Sequence, residues 1–183
     1  GVCFDPEART TMAIIAMPDA NTAEFVFYRN PGADQRLQVS DLDESLLSST
    51  RAFHFGSVSL TDEPARSATL AAARTAREAG ALVSFDVNYR PSLWKDPELA
   101  LEQTRKMLPE VDLVKVNETE AALLTGMDQL TPGNLDRLEA STRRLLEQGP
   151  AAAVLTLGPR GSYFQTGRAG GYVPPYQVET VDS

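Results

Sequence analysis

The chain has 183 residues, enough for one domain with a sizeable core. Apolar residues make up 42% of it and charged residues 23%, the balance of an ordinary globular protein. A formal net charge of -8 argues against a nucleic-acid or anionic-membrane surface, each of which needs a basic face, but leaves room for a local basic pocket around a phosphate.

The opening "GVCFDPEART" holds Cys3, the one cysteine of the sequence, so no internal disulfide forms and a reducing, cytoplasmic setting is expected. Cys3 itself reads as a buried small hydrophobe. There is no charged region followed by an apolar one, as in a signal peptide, and no initiator Met; the sequence opens as though cut from within a longer chain. No apolar run approaches the roughly 20 residues of a membrane span.

From about residue 9 to residue 30 the pattern predicts a β-hairpin. "TTMAIIAM" is rich in β-formers, "PDANTAE" is a turn cluster, and "FVFYR" is a second strand with Phe25, Phe27 and Arg29 on one face and Val26 and Tyr28 on the other. "NPGAD" then breaks the pattern. From about residue 50 the rhythm becomes strand, helix, strand. "RAFHFGSVS" is a strand in which His54 reads as a packed core residue. "PARSATLAAARTAREAG" is a helix with Pro64 near its first turn and Gly80 as its stop. "ALVSFDVN" is the next strand, and "DPELALEQTRKMLPE" is a helix with Asp96 as N-cap and Pro97 in its first turn. "VDLVKVN" is a third strand, "ETEAALLTG" and "NLDRLEASTRRLLEQG" are helices, and "AAAVLTLG" is a fourth strand. "GSYFQT" and "GYVPPYQVETV" alternate like antiparallel strands. The alternation predicts a mainly parallel sheet with strands near 51–56, 82–87, 111–116 and 152–157 and helices on its faces.

Ligands of open α/β sheets sit at the carboxyl ends of the strands. Those ends read "HFGS", "FDVNYR", "KVNETE" and "LTLGPRG", all polar, with Gly recurring. Asn117 closes the third strand and Glu120 falls in the first helical turn. The pair reads either as a capping box or as an amide and a carboxylate holding a hydrated divalent cation and the phosphates it carries. Thr156, Gly158 and Gly161 read either as a surface for close approach of a flat ligand or as an ordinary turn. With the one histidine, His54, read as a core residue rather than a base, neither a His-based triad nor a His-rich metal site is expected. The absence of G-x-G-x-x-G after a strand, and of G-x-x-x-x-G-K-[ST], argues against a dinucleotide fold or a P-loop.

"KVNETEAALLTG", "VLTLGPRG" and the closing "VETVDS", in that order and spacing, resemble the ribokinase-like (phosphofructokinase B type) sugar kinases. "GVCFDPEARTTMAII", "FVFYRNPGAD", "HFGSVSL" and "FDVNYRPSLW" look most like the fructokinase branch. The resemblance implies an α/β three-layer sandwich with a mainly parallel sheet. It also implies a lid-type hairpin and connection over 1–38 that projects from a partial nucleotide- and sugar-binding domain over 39–183. The implied activity is transfer of the γ-phosphate of ATP to a sugar hydroxyl, with Mg2+ and K+. The implied partners are a sugar, fructose before 2-keto-3-deoxygluconate, and a second copy of the protein docked through the lid; neither nucleic acid nor membrane is implied.

Residue by residue, the resemblance gives Asn117, Thr156, Gly158 and Gly161 to the nucleotide. It gives Phe27, Arg29, Asn30, Asp86, Asn88 and Arg90 to the sugar, Glu120 to Mg2+ through water, and Asp182 to a monovalent cation. It also places a glycine-rich anion hole and the general base after Ser183. The chain is therefore expected to be an internal piece of such a kinase and to be inactive by itself. A non-catalytic remnant that binds nucleotide or a partner is the competing expectation.

Overall fold

A computed structural model describes residues 2–19, 22–29 and 31–178. Two of the residues singled out above, Asn30 and Asp182, lie outside the described residues. The first element pair is β1 (Met12–Asp19) and β2 (Thr22–Tyr28), an antiparallel hairpin that forms a sheet of its own. The body follows as α1 (Glu44–Ser49), β3 (Ala52–Gly56), α2 (Ala65–Glu78), β4 (Leu82–Asp86), α3 (Pro97–Met107), β5 (Leu113–Asn117), α4 (Glu118–Thr125), α5 (Leu135–Leu146), β6 (Ala152–Thr156), β7 (Ser162–Thr166) and β8 (Gly170–Val173).

The body sheet runs β3-β4-β5-β6-β7-β8, with the first four strands parallel and the last two antiparallel. The four parallel strands coincide with those expected from the alternation of the sequence. Local chemistry sets the helix ends. Asp96 caps α3 by accepting from the Glu98 N–H at 2.8 Å. Gly126 ends α4 with φ of 70°, which glycine adopts at low cost.

Strand order equals chain order from β3 to β6, so every right-handed crossover steps the same way and leaves its helix on the same side of the sheet. Phe55, Val83, Phe85, Val114, Val116, Ala153, Leu155 and Tyr163 face that side and are buried. Against them lie the small-residue stripe Ala65, Ala68, Ala72 and Ala76 of α2, Ala121 and Leu124 of α4, and Leu138 and Leu145 of α5. Buried hydroxyls are satisfied within their own helices: Thr69 donates to the Ala65 carbonyl and Thr142 to that of Leu138, each at 2.8 Å. Among the described residues, then, one face carries the helical layer. The other face, with Leu82, Ser84, Asp86, Leu113, Lys115, Asn117, Val154 and Thr156, is partly or fully exposed.

Two expectations are corrected here. His54 alternates onto the open face, where it is exposed and its Nδ1 lies 3.1 Å from Ser84 Oγ. It belongs to the uncovered face of a two-faced strand rather than to a core. Cys3 is likewise exposed, because its segment lies outside the packed body.

The hairpin keeps the facing read from its alternation. Phe25 and Phe27 stack at 6.2 Å between centroids on one face. Met12, Ile14, Val26 and Tyr28 pair across the other, and all four are exposed. A two-stranded ribbon needs outside support, and Arg29 supplies it. Its Nε donates to Asp34 Oδ2 at 2.7 Å, one terminal nitrogen donates to Thr61 Oγ1 at 2.9 Å, and the other donates to the Val58 carbonyl at 3.1 Å. The Arg29 side chain is only 4% exposed. Thr11 donates to the same Asp34 carboxylate. Beside it Gln35 and Lys95 donate to Asp62 at 2.8 and 2.6 Å.

Burial pushes the Asp34 carboxyl up, but the hydrogen bonds from Arg29 and Thr11 and the Arg29 charge outweigh it and hold the group below its ordinary value. A carboxylate lowered by folding contributes stability above the unfolded value of about 4 and loses it as pH falls through the folded value. Asp34→Asn is therefore expected to lower the urea midpoint at neutral pH, with the gap to the parent closing as pH drops below about 4. A gap that stays constant with pH in denaturation series would contradict this account of the hairpin base.

Candidate functional site

The parallel register brings the ends of β3 to β6 side by side. Gly56 is level with Asp86, Asp86 with Lys115, and Asn117 with Thr156. All of these face the open side of the sheet, so the polar strand ends foreseen in the sequence line one continuous edge.

Asp86 is held from two directions. Lys115 Nζ lies 3.1 Å from its Oδ1, and the Asn88 N–H donates to the same oxygen at 3.1 Å. Asn88 sits in the left-handed region, φ 36°, a conformation that Asn tolerates better than most side chains. The next amide, Tyr89 N–H, donates to Glu120 Oε1 at 2.7 Å. The chain then presents Arg90, whose guanidinium lies 5.3 Å from the centroid of the Phe25 ring of the hairpin.

Asn117 and Glu120 form the capping box. Asn117 Oδ1 accepts from the Glu120 N–H at 2.9 Å, and Glu120 Oε2 accepts from the Asn117 N–H at 2.8 Å. Glu120 is 2% exposed, and each of its oxygens already takes a backbone N–H. As a direct metal ligand this carboxylate fits poorly. Its remaining lone pairs fit a water, hence a hydrated ion at one remove. Among the described residues no three His, Cys, Asp or Glu side chains cluster as a metal site.

At β6, Thr156 Oγ1 donates to the Val116 carbonyl at 3.2 Å. Gly158 and Gly161 both have positive φ, 56° and 86°, but for different neighbours. A Cβ on Gly161 would stand 2.3 Å from the Val173 carbonyl oxygen, so strand packing requires glycine there; nothing lies within 4 Å of the same point on Gly158. Arg160 pairs with Glu118 at the start of α4 and tethers this loop to the Asn117 motif.

The structure thus gathers Asp86, Asn88, Arg90, Asn117, Glu120, Thr156 and Gly158 along one edge. Arg29 stands apart, its guanidinium engaged at the hairpin base, and Phe27 lies on the hairpin face that also carries Phe25. Two participants escaped the sequence reading. Lys115 was legible in principle, being two residues before Asn117 on the same strand face. The Phe25–Arg90 contact joins residues 65 positions apart by chain folding and has no local signal.

The sequence matches the description "pfkB family carbohydrate kinase" over residues 1–183. It is 38% identical over 183 residues to probable fructokinase-5 of Arabidopsis thaliana, covering all of this chain and 54% of that protein. Among solved structures, fructokinase of Xylella fastidiosa with bound ATP superposes with a TM-score of 0.80 at 30% identity, over 97% of this chain and 53% of that one. A double mutant of the Vibrio cholerae O395 fructokinase, bound to fructose, ADP and potassium ion, gives 0.81 at 29% identity, over 98% and 55%. The chain therefore spans about half the length of the relatives it matches. With its α/β body, its separate hairpin and its row of polar strand ends, the chain belongs to the pfkB family of carbohydrate kinases, ribokinase-like in fold.

Proposed function

We propose that the whole protein is an ATP-dependent kinase that transfers the γ-phosphate to a hydroxyl of a ketose, fructose first. The observation that carries this is the single polar edge in which the 86–90 loop and the 117–120 motif stand side by side under the hairpin. Phosphoryl transfer asks mainly for two substrates to be aligned and for phosphate charge to be met by fixed donors.

Asn117, Thr156 and Gly158 take the nucleotide side, with open space beside Gly158 for close approach; Gly161 shapes the same turn. Asp86, Asn88, Arg90 and Phe27 take the sugar side, together with Asn30, and Arg29 serves that side by holding the hairpin base. Glu120 would hold Mg2+ through water, and the ion would supply neutralisation of phosphate charge. K+ is proposed from the potassium-bound relative, with Asp182 as its residue. None of the described residues is assigned the general base. A cytoplasmic setting fits the single cysteine. No helix among the described residues is long and apolar enough to cross a membrane.

The sugar assignment gains from the state of the two arginines. An acid sugar needs its carboxylate gripped by a planar guanidinium fork. Arg29 already spends its fork on Asp34, Thr61 and Val58, which leaves Arg90 as the one arginine of the pair with donors to spare. Arg90→Ala in the whole protein is expected to raise KM for fructose roughly tenfold or more while KM for ATP moves less than about twofold, read in a coupled ADP-release assay. Equal effects on both substrates would remove Arg90 from the sugar side.

In competition, kcat/KM for fructose should exceed that for 2-keto-3-deoxygluconate by roughly tenfold or more. A preference for the acid sugar that disappears on Arg90→Ala would reverse the substrate. Nucleotide binding with no ADP release for any ketose would favour a non-catalytic role. The exposed outer face Met12, Ile14, Val26 and Tyr28 is the surface we assign to a second copy. Tyr28→Glu should convert a dimer to monomer in sedimentation velocity, and an unchanged sedimentation coefficient would refute that assignment.

A further inference from the structure

We infer that Glu120 is a positioning residue for the sugar side of the reaction: through the Tyr89 amide it sets the loop that presents Arg90 to the hairpin. This rests on the kinase function proposed above. The 87–90 loop leaves β4 through a left-handed residue, Asn88, a conformation that must be held from outside. Two consecutive amides do the holding, each captured by a carboxylate from a different strand end. The Asn88 N–H goes to Asp86, two residues back on its own strand. The Tyr89 N–H goes to Glu120 of α4, which enters from β5.

The second tie is the stronger of the two. It is shorter, 2.7 against 3.1 Å, and its acceptor is 2% exposed. Beside it lies a cavity of about 180 Å³ lined by Val87, Tyr89, Ala100, Leu101, Leu124 and Glu120, so its surroundings are of low polarity, where a charge-assisted hydrogen bond is strong and an orphaned partner costly. Upstream, the Val87 N–H donates to the Lys115 carbonyl at 3.0 Å and so continues the β4–β5 ladder, and Ser57 Oγ reaches the Asn88 carbonyl at a long 3.4 Å. Arg90 follows Tyr89 directly, and its contact with Phe25 joins this loop to the hairpin. A shift at Tyr89 therefore moves Arg90 off the ring. The same carboxylate closes the Asn117 box with its other oxygen, so one side chain fixes both the motif assigned to nucleotide and the loop assigned to sugar.

Glu120→Gln separates the two ties. A capping box accepts Gln as readily as Glu, so the amide oxygen keeps the Asn117 N–H. Its NH2 then faces the Tyr89 N–H, donor against donor. The first measurement is amide exchange in the 183-residue chain, which needs no activity. In the parent, the Tyr89 amide should be strongly protected. In Glu120→Gln it should exchange roughly tenfold or more faster, while the α4 amides keep their protection. The second is a double-mutant cycle in the whole protein, with KM for fructose read at saturating MgATP. Glu120→Gln should raise KM roughly tenfold, and adding it to Arg90→Ala should cost little more, because one acts through the other.

An unprotected Tyr89 amide in the parent, which requires no variant to fold, overturns the inference. So does a Tyr89 exchange rate unchanged in Glu120→Gln, as a purely capping role would give, or single effects that multiply. No fructose phosphorylation by the parent would sink the kinase reading and the positioning role together, and the exchange result would show separately whether the tie exists.

Discussion

Register between four parallel strands is the constraint on which the rest depends. Gly56, Asp86, Lys115, Asn117 and Thr156 are spread over a hundred residues of sequence, yet the ladders from β3 to β6 set them in two adjacent rows at one edge, Gly56, Asp86 and Lys115 in one and Asn117 and Thr156 in the next. Because side chains alternate with period two, a slip of one residue in any strand would turn its terminal polar group into the helical layer and an apolar one outward. Burial of Phe85, Val114, Val116 and Leu155 on the helix side therefore does two jobs. It drives the packing of α2, α4 and α5, and it holds the polar groups of the opposite face in place. The core chooses the register, and the register composes the site.

Onto that frame the chain adds two clips made of charge and backbone. Arg29 ties the hairpin to the turn after β3, and Glu120 ties the turn after β4 to the start of α4. Both are long side chains with their charged ends buried, and both spend part of their hydrogen bonding on backbone groups: Glu120 on two amides, Arg29 on the Val58 carbonyl beside its Asp34 partner and Thr61. That choice suits loops. Irregular backbone leaves N–H and C=O groups without ladder partners, and a forked side chain can satisfy two or three at once while fixing where the loop stands.

The sequence made the body legible because its signals are local and repeated. Apolar runs near 51–56, 82–87, 111–116 and 152–157, the first three each followed by a helix-forming stretch, admit few arrangements other than a βαβ sheet. Asn117 and Glu120 were legible for the same reason, three residues apart at a helix start. What stayed hidden depends on tertiary direction. His54 has apolar neighbours on both sides, and only the topology, with every crossover on one side, shows that its face is the uncovered one. Arg29 carries the same chemistry whether it grips a carboxylate ligand or Asp34, and no pattern within "FYRNPGAD" says which. The role of Glu120 toward Tyr89, 31 residues away, is likewise invisible until two turns meet at one sheet edge.

A net charge of -8 sits uneasily with the phosphate crevice we propose until the local pairing is considered. The cations at the edge are already partnered: Lys115 with Asp86, Arg160 with Glu118, and Arg90 with the face of Phe25. The two ion pairs are partly wet, Lys115 and Asp86 at 33% and 25% exposure and Arg160 and Glu118 at 46% and 33%, so separating them costs little. A phosphate entering such an edge exchanges one anion for another and need not be drawn in by a standing positive field. Phosphate binding then depends on geometry, on which oxygens reach which donors, more than on overall attraction. An acidic protein can therefore serve a polyanionic ligand, provided its donors are few, fixed and held at one end of a sheet.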